Sequence, residues 1–304
     1  MIENDKKQYR IGMACALSCA VIWGILPIYW KSMESLNSFA IMFNRLVLAF
    51  IVVFIISIMT HKPKEIIAPL KQKGVALSFF FAGITISVNW SIYIWAVNAG
   101  HIIQTSIGYY IEPLFVAFMG FLIFKEKLNK YKVGAMILAL AGVCVMIISY
   151  GQPPTIALVL ALSFSIYACI KRKLRAPALL ALFYETGFMV PIAIPAIIFM
   201  EKSGWGIYGS AEVYQLVLLS LAGILTATPL TLFGLAANRI PLLTLGITEY
   251  ISPTLNLLIG ILMFKEHFDI YQLIGFVIIW IGLAIFTVGE VKSYTSGGED
   301  VELL

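Results

Sequence analysis

Residues 94–143 lie without a gap on residues 234–283 at a constant shift of 140. Ala96, Asn98, Tyr110, Ile111, Pro113, Gly120, Tyr131 and Gly142 meet Ala236, Asn238, Tyr250, Ile251, Pro253, Gly260, Tyr271 and Gly282. Phe124-Lys125-Glu126 meets Phe264-Lys265-Glu266. A chain that repeats itself at this length folds as two related halves, so whatever one half builds the other must build too.

What each half builds follows from its apolar runs. Only 12% of the residues are charged, about half the share of a soluble domain, and the mean hydropathy is +0.94. The pattern predicts ten membrane-spanning helices at 9–30, 38–60, 74–97, 101–124, 130–149, 153–171, 177–200, 213–236, 241–264 and 270–290. Each has about 20 residues, enough to cross ~30 Å of hydrocarbon at ~1.5 Å per residue. The runs are too long for barrel strands and lack their two-residue alternation. The fold expected is therefore all-α and integral to the membrane.

Gly151-Gln152-Pro153-Pro154 breaks the chain at its middle, leaving one five-helix repeat in 1–150, a second in 151–290, and a polar tail, 291–304, expected to be disordered. Five is odd, so the second repeat must enter the membrane from the opposite side, as an inverted repeat. Charge agrees. With both termini in the cytoplasm, the inner segments hold 17 Lys and Arg and the outer loops only Lys31, Lys202 and Lys265, with Arg45 inside a helix. These charges set topology, so the net charge of +5 calls for no nucleic acid.

Several classes fall away. The first apolar run is too long for a cleaved signal core. Cys15, Cys19, Cys144 and Cys169 lie within predicted helices and have no metal or disulfide spacing. No GxSxG, HExxH, P-loop or Cys-His pattern is present, and an enzyme, a metal site or a cofactor is not expected. The glycines, among them Gly24, Gly83, Gly108, Gly120, Gly246 and Gly260, fit close helix packing better than binding.

Four ionisable residues stand inside predicted helices: Arg45, Glu112, Glu185 and Glu249. An ion at mid-membrane costs on the order of 3 kcal/mol, so such residues face an interior or a water-filled path. The 140 shift lays Arg45 on Glu185, which suggests either a salt bridge between helices two and seven or contact of both with a solute. It lays Tyr109 on Glu249 and Glu112 on Ser252. Each pair is three residues apart and shares a helix face: Ser106, Tyr109, Glu112 and Pro113 on one strip, Glu249, Ser252, Pro253 and Asn256 on the other. Each proline removes a backbone hydrogen bond beside an acid, which bends a helix around a cavity. A carboxyl group so placed would exchange protons near neutral pH, unless both acids are merely bonded to neighbouring helices. Trp23, Asn89, Trp90 and Tyr93 add aromatic rings and an amide suited to flat or amphipathic solutes, against a rival reading as interfacial anchors.

Asn89-Trp90, Tyr93-Ile94-Trp95-Ala96-Val97-Asn98, Gly108-Tyr109 and Pro113-Leu114 resemble the RarD branch of the EamA family, in the drug/metabolite transporter superfamily. So do Trp23-Gly24, Tyr29-Trp30, Asn44-Arg45, Ser163-Phe164 with Tyr167, Glu185-Thr186, Tyr250, Pro253-Thr254 and Ile279-Trp280. The likeness spans the chain. It departs from the family pattern at Glu112 and Glu249, where Asn and Gln are usual.

The resemblance implies a ten-helix permease of the bacterial inner membrane that alternates access to a central cavity. Its relatives are mostly exporters of metabolites or drugs. The expectation is thus a secondary transporter for a small organic solute, embedded in lipid, outward-directed and proton-coupled, working as a monomer or homodimer. Solute contacts are expected from Trp23, Arg45, Asn89, Trp90, Tyr93, Tyr109, Glu112, Glu185, Glu249, Tyr250 and Asn256. Gly108, Pro113, Gly246 and Pro253 are the expected hinges. An importer of the same fold and a non-transporting sensor or assembly protein are the alternatives.

Overall fold

A computed structural model describes residues 2–98, 102–126, 128–151, 153–263 and 270–295. His101, Lys127, Lys265, Glu266 and His267 lie outside the described residues, as do the side chains of Asn98 and Ser106. The described chain is helical without strands: α1 (Ile2–Lys31), α2 (Ser38–Thr60), α3 (Pro63–Ile67), α4 (Val75–Asn98), α5 (Ile102–Phe124), α6 (Lys130–Tyr150), α7 (Thr155–Leu174), α8 (Ala178–Lys202), α9 (Val213–Ala237), α10 (Leu242–Thr248), α11 (Ile251–Leu262) and α12 (Ile270–Thr295). Among the described residues ten spans are long and apolar enough to cross a membrane, with α10 and α11 forming one of them.

Local chemistry places the breaks. Asn37 caps α2 by accepting the N–H groups of Phe39 and Ala40 at 3.0 and 3.2 Å. Asn129 caps α6 through Lys132 at 2.9 Å. Gly151, at φ +71°, ends α6 in the left-handed region that a residue with a side chain rarely adopts.

The spans differ from the predicted ones in three places. The first helix begins at Ile2, ahead of the apolar run, and the last continues to Thr295, so 291–295 are helical and only 296–304 of the predicted tail fall outside the described residues. The ninth span is interrupted at Glu249-Tyr250. Pro253 has no N–H to give the Glu249 carbonyl four residues back, and that carbonyl accepts Ser252 N at 3.0 Å instead.

The repeat is inverted. Gln8, near the start of α1, accepts Arg239 Nε just beyond the end of α9 at 3.1 Å, and Leu242 next to it binds Glu126 just beyond the end of α5. Ile156, near the start of α7, binds Gln104 at the start of α5, at the opposite end of the bundle. The pseudo-symmetry is visible where α6 meets α12. A Cβ on Gly142 would lie 2.5 Å from Gly275 O, and one on Gly282 would lie 3.1 Å from Ala135 O. Adding 140 to Gly142 gives Gly282, and subtracting it from Gly275 gives Ala135. The two contacts are mates.

The halves interleave. The main partners of α1 are α9 and α11, of α2 are α8 and α9, of α4 are α7 and α8, of α5 are α7 and α10, and of α6 is α12. Every one of these packings joins one repeat to the other, so a site between them can draw residues from both.

Candidate functional site

Inside the bundle the four ionisable residues have different partners from those that sequence symmetry suggests. Glu185 is 1% exposed and binds Lys171 Nζ through both carboxylate oxygens, at 2.9 and 3.2 Å, while the Tyr167 hydroxyl donates to Oε2 at 3.1 Å. It does not pair with Arg45. The reason lies in the inversion itself. Both residues are seven positions into their helices, which pack antiparallel: the Phe50 ring lies 5.7 Å from that of Phe183, and Leu46 groups with Met189 and Ala193. Arg45 therefore lies level with residues about five beyond Glu185, roughly 7.5 Å further along α8.

Arg45 turns instead to α1 and α4. Its guanidinium carbon lies 3.9 Å from the Trp90 ring centroid and 5.3 Å from that of Trp30. Its Nε is buried and has no protein partner, and no described residue makes a hydrogen bond or ion pair with the guanidinium. Its electrostatic neighbours are Tyr29, Tyr93 and Tyr109. Next to it on α2, Asn44 donates to Ala40 O at 2.9 Å and accepts the Tyr208 hydroxyl at 2.6 Å. Burial, with Glu201 close by, pushes the Tyr208 phenol above its ordinary value and keeps it a donor. The connection between α8 and α9 is thereby pinned beside Arg45.

Tyr109 continues the strip along α5. Its ring lies 5.4 Å from that of Tyr93, and it is 38% exposed although it stands mid-span. Its hydroxyl shares a hydrogen bond with Tyr93, and it lies within electrostatic range of Arg45 and Glu112. Glu112 is partly exposed and has no hydrogen-bond or ion-pair partner among the described residues. Glu249, 4% exposed, feels the charge of Glu112 and leaves its Oε1 without a protein partner. Tyr250 Oη and Asn256 Oδ1, on the same broken span, are buried and equally unpaired. The strip thus runs from α2 through α5 to the α10–α11 junction, crossing from one repeat to the other. Buried polar groups are ordinarily paired, so such a concentration of open donors and acceptors marks a place for a ligand or water.

The other predicted residues have well-defined protein neighbours. Asn89 donates both amide hydrogens to α7, at Leu160 O (2.8 Å) and Ser163 Oγ (2.9 Å), and so clamps α4 to α7. Trp23 packs within the aromatic core, its ring 5.7 Å from those of Phe164 and Phe233. Gly108 and Gly246 are close-packing positions: a Cβ on Gly108 would meet Ala157 Cα at 3.3 Å, and one on Gly246 would meet Pro113 O and Ala117 N at 2.6 Å. Pro253 sits at an observed break, whereas α5 runs unbroken through Pro113. The Tyr110 hydroxyl reaches Pro253 O at 3.3 Å, which brings the two proline segments together.

Sequence reading missed a second buried ionic group. Arg172, one of the 17 Lys and Arg counted to the inner segments, is 5% exposed and donates to Ala237 O and Ile240 O at 2.7 and 2.9 Å. Glu126 receives the N–H groups of Leu242 and Leu243 at 2.7 and 2.8 Å and lies 3.8 Å from Arg172. It caps α10 from the other repeat. Its place as the last residue of the repeated Phe124-Lys125-Glu126 run was the available signal. A cavity of about 1050 Å³ lies elsewhere, between α2, α9 and the start of α8, and none of the predicted site residues lines it.

Comparison with known proteins gives the strip a context. The sequence model described as "EamA-like transporter family" matches twice, over residues 10–148 and 154–288. A Bacillus subtilis (strain 168) protein named "Uncharacterized transporter YojE" is 40% identical over 278 residues, 90% of this chain and 92% of its own length. "Protein RarD" of Streptomyces exfoliatus is 33% identical over 94% of this chain and 90% of its own. A crystal structure superposes with a TM-score of 0.72 over 91% of this chain and 97% of its own at 15% identity, a likeness of fold.

Proposed function

The chain belongs to the EamA-like transporter family and is a multi-pass membrane protein, and we propose that it exports a small organic solute across the bacterial inner membrane. The observation that carries this reading is the strip formed by Arg45, Tyr109, Glu112 and Glu249, in which Arg45 Nε and Glu249 Oε1 are buried without a partner, shared between interleaved inverted repeats. A solute lodged there touches both halves. A rocking of one half against the other then changes the side to which it is open.

In this proposal both termini are cytoplasmic, as the 17-to-3 charge asymmetry favours. The two buried ionic groups, Lys171–Glu185 and Arg172–Glu126, then stand at the cytoplasmic end. Arg172–Glu126 joins the two repeats beside α10, and export requires it to separate and re-form in each cycle. The broken span at Glu249-Tyr250 supplies the give, because its carbonyls have already lost the regular helical pattern.

Glu112 and Glu249 carry the coupling proton in this reading. Two carboxyl groups that sense each other inside a low-dielectric path favour sharing a proton over holding two charges. The test is solute movement driven by an imposed pH gradient in proteoliposomes. Glu112→Gln and Glu249→Gln are each expected to abolish the response to pH while leaving exchange at equal pH. Unchanged pH-driven transport in both variants would make the acids structural.

A further inference from the structure

We propose that Arg45 is the anchor for a carboxylate on the solute, so that the substrate class is a small organic monoacid with an aromatic or apolar body. This rests on reading the strip as the solute site and adds the chemistry of what enters it.

The guanidinium offers five N–H donors in a planar fork that matches a carboxylate at two points. Within the membrane such a group is normally paired with an acid, and here it is not. Glu185, at the equivalent place in the second repeat, is held by Lys171 and Tyr167. Glu112 and Glu249 sense each other, and Tyr109 lies within electrostatic range of both Glu112 and Arg45. The nearest groups, Tyr29, Tyr93 and Tyr109, are phenols that carry no charge at neutral pH.

The cation–π contact with Trp90, 3.9 Å from guanidinium carbon to ring centroid, uses none of the N–H donors. Of these, Nε is buried and unpaired. No second cation is among the charged neighbours of Arg45, which suits one negative charge rather than a phosphate ester. Tyr93 and the half-open Tyr109 ring flank the approach and suit a flat, apolar body.

Phenylpropionate, phenylpropionamide and phenylpropylamine share a body and differ in the head group, so they test the idea. Binding is read by tryptophan fluorescence of the purified chain in nanodiscs, and flux in proteoliposomes. The acid is expected to bind at least about tenfold more tightly than the amide or the amine, as a charge-assisted bidentate contact requires. Arg45→Gln should erase that preference, and Arg45→Lys should keep part of it. The comparison of acid with amide on the unaltered protein needs no variant to fold. Equal binding of amide or amine, a preference that survives Arg45→Gln, or no binding of the acid to folded protein would each overturn the assignment. Movement of the amine but not the acid would refute the carboxylate and keep the transporter. Binding of the acid with no flux of any probe would support the anchor and count against transport.

Discussion

Replacing Lys171 by Met leaves Glu185 inside the bundle with one remaining donor, the Tyr167 hydroxyl at 3.1 Å. Two charge-assisted contacts, at 2.9 and 3.2 Å, disappear, and the side chains involved are 2% and 1% exposed, so water cannot replace them. Breaking a buried pair from one side costs about 3–5 kcal/mol, mostly from the stranded charge. Glu185→Gln strands Lys171 and should cost a similar amount. The double variant strands no charge, keeps an amide oxygen for Tyr167, and should lie within about 1–2 kcal/mol of the wild type. The cycle therefore predicts a coupling of several kcal/mol, measured as unfolding free energy in mixed detergent and SDS micelles. Lys31–Glu34 provides an internal control: it is as short, at 2.6 Å, but its side chains are 54% and 63% exposed, and Glu34→Gln should leave unfolding unchanged. Single variants at Lys171 and Glu185 that unfold like the wild type, or a double variant as unstable as the sum of the two, would refute the reasoning.

Other perturbations separate packing from mechanism. Gly142→Ala places a methyl 2.5 Å from the Gly275 carbonyl and should cost about 1–3 kcal/mol in the same assay, because backbone must move to admit it. Gly246→Ala, 2.6 Å from backbone atoms of α5, should behave alike. Glu126→Ala removes the cap on Leu242 and Leu243 and should destabilise by about 1–3 kcal/mol, with hydrogen exchange at those two amides rising first. Pro253→Ala returns an N–H to the Glu249 carbonyl and should hold or raise stability while slowing counterflow; faster or unchanged counterflow would remove the break from the mechanism.

The spans were legible because an apolar run of about 20 residues has one economical solution in lipid, and the shift of 140 showed that this solution occurs twice. The start of α1 at Ile2 was not, because Lys6, Lys7 and Arg10 lie outside any apolar window and only the helix continuing beneath them reveals it. The break at Glu249 follows from Pro253, yet Pro113 at the equivalent position leaves α5 whole, so the proline alone does not decide it.

Among the candidate site residues, isolated charge singled out Arg45, Glu112 and Glu249, because an ion inside a membrane is energetically costly. It failed for Lys171 and Arg172. They end an apolar run beside Lys173 and Arg175, a pattern that reads as topology, and only packing against α8 and α9 shows that they are buried. Matching Arg45 with Glu185 by symmetry was misleading for a geometrical reason: inversion brings equivalent residues together only at the midplane, and these two are off it on opposite sides. Asn89 donates both amide hydrogens to α7. The carbonyl of Leu160 that occupies it belongs to a helix 71 positions away, which no local pattern reveals.

The central claim is that this chain moves a small organic solute through a path lined by Arg45, Tyr109, Glu112 and Glu249. Counterflow in proteoliposomes tests it most directly, with a broad panel of radiolabelled organic acids, amines and neutral aromatics loaded at equal pH. The account predicts accumulation of at least one solute by the wild-type chain, blocked when Tyr109→Ala is combined with Arg45→Gln in protein that still folds. Failure of the folded wild-type chain to exchange any member of the panel, or exchange indifferent to both substitutions, would contradict it.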